Sequence, residues 1–342
     1  PYLVLAALLA GVHHGLINQI DPGEPYEGNA SDFADPTVPF DFGRALDTLA
    51  VLRRHGLLQV GAGRNLAEAR KPLIVRRRGQ RIAFLAFAEN EFGMASATAA
   101  GACPLDPIRN LDDIRRARQA AEVVLVLVHG GNETNPVPSP RMQQTYRALA
   151  EAGASAVVAS HTHCPQGIET WKGVPIVYSL GNFLFDDPGA TYDPHGWWWT
   201  GYLVRLAFKR GQACAVEPIP VTFGPDASAV RLVSGAAQQR FHRYLERLSA
   251  ILVAADKVQR YWEAWCAWHG PHWLRWLAQG ALPTARTRRP AFRKFLAVRN
   301  LFTCEAHAEL TATFLRLVEQ GRTPGARAYI PKIQALQRWA GP

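Results

Sequence analysis

Three histidines stand directly behind apolar runs in the middle of the chain: His129 follows 123–128, and His161 and His163 follow 156–159. The first run, Val-Val-Leu-Val-Leu-Val, has the continuous β-branched character of a strand buried on both faces. All three imidazoles therefore fall at strand ends, where loops on a rigid sheet gather ligands. In an extended segment His161-Thr162-His163 places both rings on one side. Imidazole is the commonest side-chain ligand of transition metals, and closely paired rings suit Zn, Mn or Fe. His129, His161 and His163 are thus the candidate metal ligands, and the competing reading is a polar loop with His163 beside a turn before Pro165.

Asn132 and Glu133, just beyond His129, are the candidate catalytic residues. Glu133 is placed to exchange a proton or to hold a histidine from behind, against the alternative of a surface carboxylate. Asn182, behind the run 174–179, is a third strand-end candidate, or else a turn residue beside Gly181. Glu91, after the run 81–87, is a further carboxylate at the same sheet end. Cys164 next to His163 makes a nucleophile with its base only if a third group orients the pair, and none is evident.

The elements that position these residues follow from periodicity. Residues 44–56 carry apolar positions at helical spacing and end on Gly56. A strand over 57–61, a helical turn over 65–70, and strands 72–77 and 81–87 around the basic turn Arg76–Arg78 are expected next. Residues 108–121 form an amphipathic helix. Strand 123–128, helix 139–152 and strands 156–159, 174–179 and 201–208 complete an α/β alternation with crossover connections. After about residue 226 helical periodicity takes over, with tryptophans at 262, 265, 268, 273 and 276. These, like Trp197-Trp198-Trp199, either fill a core or stack on sugars or a membrane interface.

The chain has 342 residues, 48% of them hydrophobic and 19% charged, enough to bury a large core and no signature of disorder. Its net charge of +10 comes without zinc-finger spacing or an RNA-binding signature. An acidic polymer or anionic membrane surface is therefore a better partner than nucleic acid. Five scattered cysteines with no CxxC pair make a poor disulfide framework and leave the compartment open. The apolar stretch 2–11 is too short to span a bilayer and lacks a preceding basic region; with no initiating Met, a lost or processed N-terminus is expected.

The ordered blocks are more specific than any single residue. They run from Asp41-Phe42-Gly43 and Gly61-Ala62-Gly63-Arg64-Asn65-Leu66 through Glu89-Asn90-Glu91-Phe92-Gly93 to His129-Gly130-Gly131-Asn132-Glu133. Ser160-His161-Thr162-His163-Cys164, Pro175-Ile176-Val177-Tyr178-Ser179-Leu180-Gly181-Asn182-Phe183 and Arg299-Asn300-Leu301-Phe302-Thr303-Cys304-Glu305-Ala306-His307 follow. This pattern resembles the CapA/PgsA proteins of poly-γ-glutamate capsule synthesis, well over 41–225 and weakly beyond. The resemblance implies a calcineurin-like metallophosphatase sandwich, two packed mixed sheets flanked by helices, over 1–225, with a helical C-terminal extension over 226–342. It implies a metal-dependent hydrolase-like site acting on a phosphoester or amide, with His129 and His161 sharing one divalent ion and His163 binding a second. Glu133 and Asn132 would stand beside it. The partner implied is an anionic polymer such as poly-γ-glutamate, or a small phosphoester or amide substrate, near membrane-associated capsule machinery. The location would be the bacterial cytoplasm or cell envelope.

The family also carries a Gly-Asp strand end and an Asn-Asn-His block before its Asp-Tyr/Phe-Gly. Here Pro36-Thr37-Val38-Pro39-Phe40 precedes Asp41-Phe42-Gly43, so the anionic ligands of a two-metal site are not supplied there. His13-His14 and Asp32 or Asp35 are the nearest residues of suitable type. Three imidazoles without a bridging carboxylate bind one metal better than two. The alternative function is a catalytically inactive scaffold that grips an anionic polymer during capsule assembly or export.

Overall fold

The computed structural model describes residues 58–91, 93–185, 196–209, 212–224, 229–278 and 298–338. The helix expected over 44–56, together with His13, His14, Asp32, Asp35 and Asp41, lies outside the described residues. Two compact units emerge, one of Pro1–Leu73 with Gly93–Cys103, the other of Ile74–Phe92 with Pro104–Pro342.

In the first unit, β1 (Ala62–Gly63) pairs antiparallel with β4 (Gly101–Ala102). Helix α1 (Leu66–Ala69) starts on Asn65, whose side chain accepts from the Glu68 amide at 2.9 Å. The strand expected over 57–61 is not formed among the described residues. Residues 58–60 are irregular and Gly61 takes φ +79°, which no strand tolerates, so pairing begins only at Ala62.

The second unit is built on a six-stranded sheet of order β2-β3-β5-β6-β8-β7. Its strands are β2 (Leu73–Arg77), β3 (Gln80–Ala88), β5 (Val123–His129), β6 (Ala156–Ser160), β7 (Ile168–Trp171) and β8 (Val174–Val177). Pairings β3/β5, β5/β6 and β6/β8 are parallel, and β7 returns antiparallel to β8. Crossover helices α2 (Pro107–Ala120) and α3 (Pro140–Glu151) pack on these strands. Each begins with the same device: Asp106 and Ser139 accept from the amides of Arg109 and Met142, and a proline with no amide hydrogen follows.

Under the helices the sheet is dry, with Val124, Val126, Val157 and Ile176 fully buried on one face. The other face departs from the expected two-sided burial. Strand β5 alternates, and Leu127 keeps 37% of its surface. The fold class read from the sequence, α/β with sheets flanked by helices, is the one observed.

A second sheet, β9 (Thr200–Ala207), β10 (Ala215–Phe223) and β11 (Val230–Leu232), is antiparallel throughout. Strand β10 escapes a sequence reading because Pro218 and Pro220 sit inside it, and proline normally argues against a paired strand. Helix α4 (Gly235–Leu252) packs on β7 and β10, and α5 (Ala255–Ala278) packs on α3 and α4. Helices α6 (Glu305–Glu319), α7 (Thr323–Arg327) and α8 (Ile330–Leu336) then close over α5. Trp262 and Trp265 are buried there with Leu310, Phe314, Leu317 and Ile333, so these indoles fill a core. No described helix is long and apolar enough to cross a membrane.

Beneath the sheet's β7 edge a buried ionic knot ties α3 to β7 and β8. Glu169 accepts from the Arg147 guanidinium and, at 2.8 Å, from the Tyr178 hydroxyl. Arg147 keeps a fifth of its side-chain surface, so removing Glu169 strands a partly buried charge and its charge-assisted hydrogen bonds, at a cost of about 1.5–3 kcal/mol. Glu169→Ala is therefore expected to lower unfolding free energy by about that amount in a urea titration; a loss near zero would show that the knot is solvated.

Candidate metal centre and its surroundings

Register brings the site together. Along the parallel ladder Ala88 pairs with His129, and His129 pairs with Ser160. The next residue out from each strand end is thus Glu89, Gly130 and His161, on one edge of one sheet. The ring centroids of His129 and His161 lie 4.5 Å apart, and those of His161 and His163 lie 6.2 Å apart. All three predicted ligands meet.

They meet by a route other than the extended segment expected for His161-Thr162-His163. His161 has φ 120° and His163 φ 57°, so the backbone coils back at both. What holds the coil is Thr162, fully buried, whose hydroxyl donates to the Cys164 carbonyl at 3.0 Å and accepts from the Ser179 hydroxyl at 2.8 Å, and whose carbonyl accepts from the Thr134 amide at 2.7 Å.

Each ring has its own setting. His129 Nδ1 is buried with no hydrogen-bond partner. Burial first, then the neighbouring His161, pushes its pKa down to about 3, so the ring is neutral and one nitrogen keeps a lone pair. His161 Nε2 lies 3.2 Å from Glu91 Oε1. Burial works against charge on this ring, but the Glu91 hydrogen bond and the fields of Glu91, Glu133 and Glu89 outweigh it and raise the pKa. Glu91 is held below its ordinary value by the same hydrogen bond, against burial. A tight turn in which the Glu91 amide donates to the Glu89 carbonyl at 2.8 Å folds Glu91 back over the sheet end.

His163 is oriented by Asn182. The Asn182 amide donates to the Trp198 carbonyl at 3.1 Å, so its oxygen is the atom facing His163 Nδ1 at 2.9 Å. His163 must then carry its proton on Nδ1, which leaves the lone pair on Nε2. Burial lowers the His163 pKa, with Asn182 opposing. Trp198 stacks on the same ring at 5.2 Å and 27°. This residue and its neighbours Trp197 and Trp199 form a buried 3-10 turn.

The two predicted catalytic residues separate. Glu133 is exposed at the mouth, close enough for its field to raise the pKa of both His161 and His163. Asn132 is buried, its amide donating to the Ala306 carbonyl at 3.0 Å while its oxygen has no partner. Cys164 is fully buried, and desolvation pushes its thiol up to about 12, so it supplies no thiolate.

A wall of the site comes from helix α6, which no catalytic motif announces. Glu305 accepts from Asn90, Ala306 from Asn132, and Glu309 from Ser139 at 2.8 Å and Arg141 at 2.9 Å. Arg141 also pairs with Glu89, which is buried and accepts from the Gly131 amide at 2.7 Å. Gly131 is required there: its φ is +114°, and a Cβ would lie 2.7 Å from the Met142 methyl. His307, on the same helix, is partly buried against Trp273, with Asn300 at its Nδ1. Burial lowers its pKa, with the charge of Glu91 opposing.

Residues 40–187 match the family model of the bacterial capsule synthesis protein PGA_cap. This stretch is similar to the PGA_cap family. The "PGA biosynthesis protein CapA" of Bacillus subtilis is 33% identical over 180 residues, 51% of this chain and 45% of that protein. The "capsule biosynthesis protein CapA" of Bacillus anthracis is 29% identical over 209 residues, 59% and 49% of the two chains. A "probable polyglutamine synthesis accessory protein" of Mycobacterium tuberculosis is 26% identical over 165 residues, 44% and 43%. The chain spans about half the length of these curated relatives. Residues 1–53 match a different family model, the glutamine synthetase catalytic domain. The expected Gly-Asp and Asn-Asn-His motifs are missing from that same part of the chain. Within the matched stretch fall His129, His161, His163, Glu91 and Asn182, whereas Glu305, His307 and Glu309 lie beyond it.

The donors suit a divalent cation in type: imidazoles that burial keeps neutral at His129 and His163, a carboxylate, and two buried polar atoms without a hydrogen-bond partner, His129 Nδ1 and Asn132 Oδ1. In arrangement the fit is incomplete. Among the described residues no three His, Cys, Asp or Glu side chains surround one point as a cation needs. His161 Nε2 is committed to Glu91.

That commitment has a pH signature in metal-free protein. The raised His161 contributes stability fully present below 6.5 and lost as pH rises through its folded value. The lowered Glu91 contributes stability present above 4.5 and lost as pH falls through its folded value. Chelator-treated wild type should thus gain most over Glu91→Gln between those two values, read as thermal midpoints across pH. Parallel profiles would show that the pair does not form.

Proposed function

We propose that the PGA_cap-like stretch is a divalent-metal-dependent hydrolase-like module of capsule or poly-γ-glutamate metabolism, cleaving a phosphoester or amide bond. The observation that carries this reading is the convergence of His129, His161 and His163, with Glu91, on one sheet edge. The relatives, a PGA biosynthesis protein and a capsule biosynthesis protein, supply the capsule context.

His129 and His161 would hold the ion, with Glu91 turning from His161 towards it, and His163 would present Nε2. A divalent ion supplies Lewis acidity towards a phosphoryl or carbonyl oxygen and makes water a better nucleophile near neutral pH. The protein's own residues do the rest. Asn182 fixes the tautomer and angle of His163. Glu133, exposed at the mouth, is free to take a proton from water or return one to the leaving group. Asn132 presents its unpartnered oxygen to a substrate or water hydrogen. The substrate is an acidic polymer or a small phosphoester or amide, which the net charge of +10 favours in approach.

Metal content of purified protein tests the proposal. Wild type should retain a divalent ion after gel filtration, and the His161→Ala/His163→Ala double variant should not. Asn182→Ala, which loses the orienting bond to His163 and the bond to the Trp198 carbonyl, should weaken metal affinity by about 10–100-fold. Equal metal in all three proteins would refute the site.

A further inference from the structure

We propose that Glu305, on the first turn of α6, is a positioning residue for Glu91: it clamps Asn90 and so sets the Glu91 carboxylate on His161. The clamp stands on geometry alone, whereas its consequence for metal capture rests on the proposed function. Glu91 is weakly anchored by its own strand. Strand β3 ends at Ala88, and Glu89 stays in line because its amide donates to the His129 carbonyl at 2.9 Å. Beyond it the chain makes a three-residue turn closed by one bond, from the Glu91 amide to the Glu89 carbonyl at 2.8 Å. A single such bond does little to offset the entropy of fixing the residues it closes.

Asn90, at the centre of the turn, is held from elsewhere. Its backbone amide donates to Glu305 Oε2 at 3.0 Å, and its side-chain amide donates to Glu305 Oε1. One carboxylate thus takes both kinds of N–H on one residue, and bonds to an ionised acceptor are the stronger kind. The other end of the turn is tied to the same helix, since Glu309 accepts from Arg141 and Arg141 pairs with Glu89. With Glu89 and Asn90 both fixed, the Glu91 side chain meets His161 Nε2 at 3.2 Å from a settled backbone. That side chain keeps its own rotations, so it can pass from His161 to a cation while the turn stays in place.

The competing role for Glu305 is an ordinary helix start. An acid in the first turn complements the helix dipole, and Cys304 gives α6 no side-chain cap. That role needs only the charge and makes no use of Asn90. The paired contacts need the two acceptor positions, and they reach a residue beside the metal-facing carboxylate. Because the family match ends at residue 187, the clamp comes from a part of the chain that the match does not reach.

The test is nuclear magnetic resonance of the whole chelator-treated protein with isotope-labelled histidine, following the His161 Nε2–H signal at one fixed pH. Wild type should show this proton in slow exchange, hydrogen-bonded to Glu91. Glu305→Ala should lose it. Glu305→Gln gives up the charge but can pair amide to amide with Asn90, so it should keep the signal. Asn90→Asp leaves α6 intact and sets a second carboxylate against Glu305, so it should lose the signal. No signal in wild type, its survival in Glu305→Ala or Asn90→Asp, or its loss in Glu305→Gln would overturn the proposal. Zinc affinity, read by competition with a coloured chelator, should fall by about tenfold or more in Glu305→Ala and Asn90→Asp, as for other outer partners of metal ligands. It should hold at the wild-type value in Glu305→Gln, and equal affinity in all four proteins would overturn the link to metal capture. A wild type that binds no zinc would sink the proposed metal centre, and the histidine signals would still decide the clamp.

Discussion

The parallel register of β3, β5 and β6 is the constraint on which the rest depends. A one-residue slip would turn His129 to the helix-covered face, where Val124, Val126 and Val128 now exclude water. The dry face thus fixes the register, and the register fixes which side chains emerge at the strand ends. Chemistry at this edge is a consequence of packing on the far side of the sheet.

Buried charge then narrows the arrangement. Arg141 stands between two carboxylates, Glu89 on the sheet edge and Glu309 on α6, and burial raises the pKa of Glu309. One guanidinium shared by two acids is an expensive motif unless its geometry is kept, because either acid left alone would be a buried unpaired charge. The effect is to lock α6 against the loop that follows His129. Glu305 on Asn90 and Ala306 on Asn132 repeat the lock at two further points. His307 is carried on the helix held in this way.

Much of this was legible in the sequence. Strand ends could be read because β-branched runs are unambiguous, and His129, His161 and His163 stand immediately behind them. The helices over 108–121 and 139–152 could be read from their periodicity, although their caps at Asp106 and Ser139 were not. Other parts were hidden for physical reasons. Left-handed backbone at His161 and His163 is imposed by Thr162 bonding across to Ser179 and Thr134, which no local pattern encodes. The roles of Glu89, Arg141 and Glu309 depend on partners 52 and 168 residues apart. His307 had no local signal except its place in a family-like segment, since its position arises from where α6 docks. The prolines of β10 pointed away from a strand that its neighbour β9 nonetheless pairs.

The central claim is that the histidine cluster closes around a single cation. Crystals of the protein grown with zinc, measured at the zinc absorption edge, give the most direct reading. The account predicts one anomalous peak about 2.0–2.1 Å from ring nitrogens of His129 and His161, with Glu91 turned away from His161 Nε2. A map with no peak among these rings, and the Glu91–His161 contact unchanged, would contradict it.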